Sequence, residues 1–573
     1  MAATAGAAGA GAEGLAPRVE PIRSADDHLL TAVVSCAGVF LAIGLAAPLG
    51  ALLVKSFEDE AGRFVWLANY ARYFETPALV ASLWNSLWVS GLTTAIVLPA
   101  AFAFAYALTR SAIPCKGLFR AIALLPILAP SLLPALALIY LFGNQGMLRP
   151  LLMGGTIYGP AGIVVSEVFY CFPAAFLILS TALSGADARL YEAAEALRAS
   201  RIRVMGTVTL PAARYGMISA GFVVFTLVIT DFGVPKVIGG SFNVLATDVY
   251  KQVVGQQNFQ MGAVVGMVLL VPAVLAFLAD RWAQRRQVSS VSARAVPYVP
   301  KPRPSRDIPL FLHCALISLL MLGLIGVAAW GSVIAFWPWN LSLTLANYDF
   351  ARFDSAGWGS FRNSVVMSAC TAAIGAPLIF LFAYGMERAK AAPRLSKAVR
   401  FAATVPLAVP GLVLGIAYIF FFNAPANPLG FLYGTMAILV LNSLVHFYTV
   451  GHLASVTALK QLDPEFESVA ASLKVPLWRN FLAVTVPISL PVILDVAIYL
   501  FVSAMTTVSA VVFLYTPDTK PAAVALVQMD EAGQASAAAA MAMTILATSA
   551  AVKGLHVAAD GLISRSTQAW RDR

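Results

Sequence analysis

Twelve apolar runs punctuate the chain, near residues 30–54, 82–108, 120–142, 160–183, 213–234, 261–280, 309–336, 364–386, 401–423, 433–456, 488–514 and 536–558. Each has about the 20 residues that a helix needs to cross the hydrocarbon core of a bilayer. None alternates polar and apolar positions as a barrel strand does over about ten residues. Backbone groups inside lipid must be satisfied within their own segment, so the runs predict helices. The pattern therefore predicts an all-α polytopic membrane protein with about 12 transmembrane helices. The first 28 residues are Ala/Gly-rich and mix both charge signs; the run after them is too long for a signal-peptide core and reads as a retained helix.

Composition agrees with that pattern. The 573 residues are 60% hydrophobic and 12% charged, about half the charged share of a soluble domain. The net charge of +10 comes from 38 basic against 28 acidic residues, and in a membrane protein it reads first as an orientation signal; no nucleic-acid partner is expected. With the N-terminus inside, Arg18, Arg23 and the connections on that side hold 28 of the 38 basic residues, the far side nine, and Lys553 the inner end of the last run. The asymmetry places both termini in the cytoplasm. Cys36, Cys115, Cys171, Cys314 and Cys370 are scattered without a CxxC pair, and the five histidines show no metal-ligand spacing. No GxxxxGK[ST], HExxH or GxSxG occurs, so no catalytic residue, bound cofactor or metal is expected in this chain.

The chain is also duplicated. Leu67-Ala68-Asn69-Tyr70 returns as Leu345-Ala346-Asn347-Tyr348, an offset of 278 that also relates Asn85-Ser86 to Asn363-Ser364, Tyr106 to Tyr384 and Arg110 to Arg388. Pro126 and Pro130 return two residues late as Pro406 and Pro410. An ordered series of this kind is an internal repeat. It divides the chain into a tail (1–29), a first six-span half (30–281), a linker (282–307), a second six-span half (308–560) and a tail (561–573). An even number of spans per half relates the halves by an axis along the membrane normal and leaves a path between them. The segment 282–306 has six basic residues, no acidic ones, four prolines and four serines, and reads as an extended cytoplasmic linker.

Two cytoplasmic loops, 187–211 and 463–487, match at offset 276. Asp187 and Asp463 are natural helix caps, the latter followed by Pro464 at the first helical position. Glu192 and Glu195 lie early and Arg198 late, as the helix dipole prefers. Val475 is pushed out of helical conformation by Pro476, and Ser200 stands where Pro476 does, so each loop is a helix–turn–helix. The second short helix presents Ile202 and Met205 in one copy, Trp478 and Phe481 in the other. An interfacial helix lying on lipid is one reading of such a segment; two copies at matching depth favour docking on a cytoplasmic partner.

These loops resemble the EAA loop of ABC importer permeases, whose pattern is EAA, three residues, Gly, nine residues, an aliphatic, one residue and Leu-Pro. The first copy has Glu192-Ala193-Ala194, Val208 and Leu210-Pro211; the second keeps Ala470, Val484 and Pro487, with Glu467 one place ahead of Ser468 and Val469. Both depart at the glycine, which is Arg198 and Lys474. Glycine enters a left-handed turn at little cost, so this leaves open an elbow built in another way. The resemblance implies two tandem six-helix type I ABC permease halves in a bacterial inner membrane. It further implies loops seated on a separate ATPase dimer that uses ATP and Mg, and a periplasmic substrate-binding protein on the other face. Fused permeases of this sort are similar to the ferric-iron, thiamine and 2-aminoethylphosphonate importer class. Thr230–Pro235 resembles a stretch typical of that class, and the segment from Ile238 through Asn243–Gln252 to Met261 and Thr506–Asp518 look most like the 2-aminoethylphosphonate permeases, with ferric iron or thiamine as the alternative.

Within the apolar runs, Glu167 and Asp231 are costly in lipid and ordinarily face a bundle interior or a watery cavity. With Thr507, the repeat counterpart of Asp231, they are the pathway candidates; an interfacial Asp capping a broken helix is the equal alternative. Asn85 and Asn363 read as interhelical hydrogen-bonding residues. An ion-coupled secondary carrier is the competing class. It would need more buried ionisable groups than these and leaves the paired loops without a role.

Overall fold

A computed structural model of the chain describes residues 24–288, 296, 298–389, 391–463 and 465–567. Among them, ten helices are long and apolar enough to cross a membrane. Ala25–Ser56, Pro77–Arg110, Pro160–Ser184, Arg201–Thr230 and Phe259–Gln284 belong to the first repeat. Pro304–Ser332, Trp358–Arg388, Met436–Gln461, Leu477–Thr506 and Ala535–Ala559 belong to the second. Their starts follow local chemistry. Ser24 and Asp27 cap the first helix reciprocally, at 3.2 and 3.0 Å. Pro77, Pro160 and Pro304 occupy first-turn positions, where the missing N–H costs nothing.

The third run of each half departs from the expected straight span. The first bends by 99° between Lys116–Leu128 and Leu132–Phe142, the second by 113° between Pro393–Ala408 and Gly411–Phe422. The duplicated prolines are the cause. Ala129 before Pro130 and Val409 before Pro410 are forced into extended conformation (ψ 147° and 115°). Twelve spans result only if each bent pair is counted as one.

Three other runs end sooner than their hydropathy suggests. The runs 213–234 and 488–514 stop as helices at Thr230 and Thr506, where Asp231 and Thr507 turn extended with the same ψ of 135°. The chain then folds back as the short helices Gly233–Ile238 and Leu245–Tyr250 in one half and Ala522–Glu531 in the other, mostly buried. The run 309–336 ends at Ser332 and continues into an antiparallel hairpin, Ile334–Phe336 with Asn340–Leu343.

The repeated residues make repeated bonds. Asn69 Nδ2 donates to the carbonyls of Ser56 (3.0 Å) and Glu58 (2.9 Å); Asn347 Nδ2 donates to those of Ser332 (3.0 Å) and Ile334 (2.7 Å). Tyr70 and Tyr348 each pair their hydroxyl with that same serine at 2.9 Å. Asn85 Nδ2 donates to Asn243 O (2.9 Å) and Asn363 Nδ2 to Asp518 O (2.8 Å). Ser86 Oγ accepts from Leu245 N (2.8 Å) and Ser364 Oγ from Ala522 N (2.7 Å). The Asn-Ser pair thus pins the folded-back helix of each half to its second span, satisfying backbone groups that lipid could not.

The halves interlock. Helix Ala25–Ser56 lies against Trp358–Arg388, Pro393–Ala402 and Gly411–Phe422 of the other repeat, and Tyr418 donates to Gly44 O at 2.7 Å. Pro304–Ser332 reciprocally covers Leu132–Phe142 and Pro77–Arg110, with His313 Nε2 3.1 Å from Ala100 O. Leu30, Val34, Ala37 and Leu41 share one buried cluster with Ile379, Phe380, Ala383 and Leu500. Each repeat's first span completes the core of the opposite repeat.

Candidate functional site

The two loops adopt one geometry. Helix Ala188–Ala196 begins at Asp187, whose carboxylate accepts from Arg189 N at 3.1 Å; in the second copy Asp463 accepts from Glu465 N at 2.9 Å. Each helix then reverses through a left-handed residue, Arg198 (φ 51°) and Lys474 (φ 54°). The N–H three places past each helix's last residue reaches back, Ala199 to Ala194 O and Val475 to Ala470 O, both at 2.9 Å. This is the Schellman arrangement in which glycine is usual. The elbow is therefore built in the glycine's conformation without glycine, at a cost of about 1–2 kcal/mol per residue. The short helices Arg201–Val204 and Leu477–Asn480 follow, capped by Ser200 and started by Pro476, and widen at Met205–Thr209 and Phe481–Thr485 before Pro211 and Pro487.

Exposure separates the expected docking residues. Ile202 is 87% and Trp478 55% exposed. Phe481 turns inward instead, with its ring centroid 4.7 Å from Tyr384 and 6.0 Å from Phe380, and Met205 is only partly exposed. The expected pair of protruding aromatics is thus a single Trp. Glu192, Ala193, Arg198 and Lys474 are exposed and Ala194 is buried; the side chain of Glu467 lies outside the described residues, as do Arg18 and Arg23. Two residues that motif reasoning passed over stand out, Leu197 (82%) and Leu473 (71%). They are equivalent at offset 276 and immediately precede each elbow, so the repeat register itself could have found them.

The loops differ in what holds them. The linker lies across the first: Ala188 N donates to Val296 O (2.9 Å), Tyr298 packs on Tyr191 at 4.9 Å, and Glu195 is paired by Arg303 (2.5 Å) and Lys301 (3.5 Å). Lys301, with Arg303, holds the Glu195 carboxyl below the usual carboxylate range. The second loop has instead Asp26, which accepts from Leu477 N at 3.4 Å. In one case the segment ahead of a repeat's first span, in the other the first turn of that span, touches the other repeat's loop.

Inside the first half, Glu167 is fully buried on Pro160–Ser184, 3.6 Å from Cys171 Sγ. It also meets Asp231, which accepts from Val234 N at 2.8 Å and from Ser131. Asp231 is therefore both a cap on the folded-back helix and half of a carboxyl pair, whereas Thr507 is buried at the corresponding break. Farther along, Lys236 of the first repeat forms an ion pair with Glu531 of the second and lies 4.7 Å from the Tyr250 ring. Burial and the neighbouring Glu531 push Asp530 up to about 6. Lys251 is bonded to Asn243. No three of His, Cys, Asp and Glu group as metal ligands among the described residues.

The family model described as "binding-protein-dependent transport system inner membrane component" matches the chain twice, over residues 95–289 and 375–564. A putative ferric transport system permease, FbpB 1 of Haemophilus influenzae, is 28% identical over 512 residues, covering 86% of this chain and 79% of its own length. The ferric transport system permease FbpB of Actinobacillus pleuropneumoniae is 29% identical over 506 residues, covering 85% and 72%. A putative 2-aminoethylphosphonate permease, PhnU of Salmonella choleraesuis, is 24% identical over 249 residues, 42% of this chain and 87% of its own.

Proposed function

The chain belongs to the family of binding-protein-dependent transport system inner membrane components, two copies of which it carries in tandem, and from that premise we propose that it is the translocation subunit for ferric iron in an ABC importer. A periplasmic binding protein delivers the cargo at the Lys236–Glu531 end. A separate ATPase dimer docks at the other, on the loops 187–211 and 463–487, with both termini on that cytoplasmic side. Leu197 with Ile202, and Leu473 with Trp478, are the apolar contacts.

The observation that carries the cargo is the alignment with two ferric permeases along both repeats. It reverses the order suggested by the local likenesses at Asn243–Gln252 and Thr506–Asp518, which favour 2-aminoethylphosphonate. The outer mouth agrees with a cation, setting two carboxylates, Asp530 and Glu531, against Lys236. Lys236 and Lys251, the lysines near this mouth that would suit an anionic cargo, both have their ammonium groups engaged, with Glu531 and with Asn243. The phosphonate stays as a second reading on the match to PhnU.

The test is reconstitution with the ATPase and binding protein in liposomes, measuring uptake of radiolabelled ferric iron and of the phosphonate with and without ATP. ATP-dependent iron uptake is expected. Phosphonate uptake without iron uptake would exchange the cargoes, and uptake indifferent to ATP would remove the importer reading.

A further inference from the structure

At the end of the bundle that carries the two loops, a cavity of about 370 Å3 opens between the second span, the start of the bent third segment, the end of the fourth span and the linker. Arg110, Lys116, Arg120, Ser180, Ser184 and Tyr298 line it, and no carboxylate does. Arg110 is 2% exposed. Its guanidinium is held between the rings of Tyr191 and Tyr298 at 4.8 and 4.9 Å, and it donates to the carbonyls of Leu183 and Ala186. Its Nε, buried, has no partner. Helix Lys116–Leu124 starts at the cavity without a side-chain cap, leaving first-turn N–H groups there as well.

The repeat supplies a control. Offset 278 pairs Thr109 with Glu387, and offset 280 pairs Arg120 with Arg400. In the second half Glu387 and Arg400 form an ion pair at 2.7 Å. In the first half the carboxylate is replaced by Thr109, and Arg120 and Lys116 have no ion-pair partner among the described residues. One copy of the site pairs its arginine with a carboxylate of its own; the other, among the described residues, has near Lys116 only Asp307, which is already paired with Arg306.

We propose that the first-half cavity binds a phosphate group, completing the site that Glu387 completes internally in the second half. Arg110 is buried, Lys116 half-buried and Arg120 exposed, and the carboxylate nearest Lys116, Asp307, is already paired with Arg306 at 2.8 Å. Positive charge is therefore in excess there, which is costly where it is buried, and a tetrahedral anion matches the forked and point donors on offer. The cavity lies where the spans meet the aqueous phase, so the phosphate can come from an anionic phospholipid headgroup or from solution.

The full-length chain, purified and stripped of lipid, is titrated with phosphatidylglycerol, with phosphatidylcholine as the zwitterionic control, and separately with inorganic phosphate, following its thermal transition. The expected result is a rise with phosphatidylglycerol that exceeds the control. That rise should be lost in the Lys116→Gln, Arg120→Gln double variant. Thr109→Glu should bind less lipid and be the more stable chain without it. An equal rise with inorganic phosphate would assign the source to solution and keep the site. No rise with either probe, or the same rise in the double variant, would overturn the proposal. Should Thr109→Glu not accumulate, the double variant decides alone, because Arg120 is exposed and Lys116 half-buried.

Discussion

Docking through the loops should separate cleanly from folding when Trp478 and Phe481 are truncated one at a time. With about 250 Å2 for a Trp side chain, the 55% exposed share of Trp478 leaves roughly 140 Å2 to bury, worth up to about 3.5 kcal/mol at about 25 cal/mol per Å2. Ile202, 87% exposed, scales to roughly 1.3–2.6 kcal/mol from the 1.5–3 kcal/mol of full burial. Both are ceilings, since association also costs motional freedom. Adding Leu197 and Leu473 brings the loops closer to parity than Trp478 alone suggests. Phe481 behaves differently. Its truncation opens the packing against Tyr384 and Phe380 and should cost about 2–3 kcal/mol of permease stability, allowing for its partial exposure. The assay is retention of the ATPase on tagged permease, beside the thermal transition of the permease alone. Trp478→Ala, Leu473→Ala should lose the ATPase by tenfold or more at an unchanged transition, and Phe481→Ala should lower the transition. If Phe481→Ala released the ATPase from a permease as stable as the parent, the inward placement of that ring would be refuted.

In a cysteine-free background, Ser355→Cys should react with an impermeant thiol reagent in intact cells and Arg189→Cys only after permeabilisation; the opposite pattern would invert the topology. A short bifunctional thiol reagent joining Lys236→Cys to Glu531→Cys should stop uptake reversibly, and continued transport by the cross-linked chain would show that the ion pair need not part. Asp530 has a folded value of about 6 against an ordinary 3.8. Its penalty therefore builds as pH rises between those values and is complete above about 6, at most roughly 3 kcal/mol. Asp530→Asn should then raise the thermal transition at about pH 7.5 and leave it nearly unchanged at about pH 4; an equal effect at both would disconnect the gain from ionisation.

Much of this architecture was legible because a repeat is its own control. The Asn69/Asn347 and Asn85/Asn363 pairs were visible as recurring polar residues, and the structure gives each pair the same two tasks. The loops were legible through caps and spacing. The bends at Ala129 and Val409 were present as duplicated prolines, yet hydropathy counts apolar residues and is blind to direction. Phe481 could not be placed because a short helix has two apolar sides and only tertiary packing chooses between them. The strap over Glu195 depends on Lys301 and Arg303, more than 100 residues away, a distance no local pattern crosses. The left-handed Arg198 and Lys474 show the converse: the motif's glycine records a backbone shape that other residues can hold when the bonds around it are made.

Interlocked first spans also set a timetable for biogenesis. Helix Ala25–Ser56 leaves the ribosome early, but the helix that accepts its Gly44 region ends only at Phe422. At about 5–20 residues per second, the intervening stretch takes roughly 20–70 s to synthesise. Throughout that interval Leu30, Val34 and Leu41 face lipid or an insertase rather than their native neighbours, and the helix has to be kept from pairing with the nearer, earlier-made spans. A late threading step of this kind makes membrane insertion order, rather than helix stability, the point at which such a chain is most easily lost.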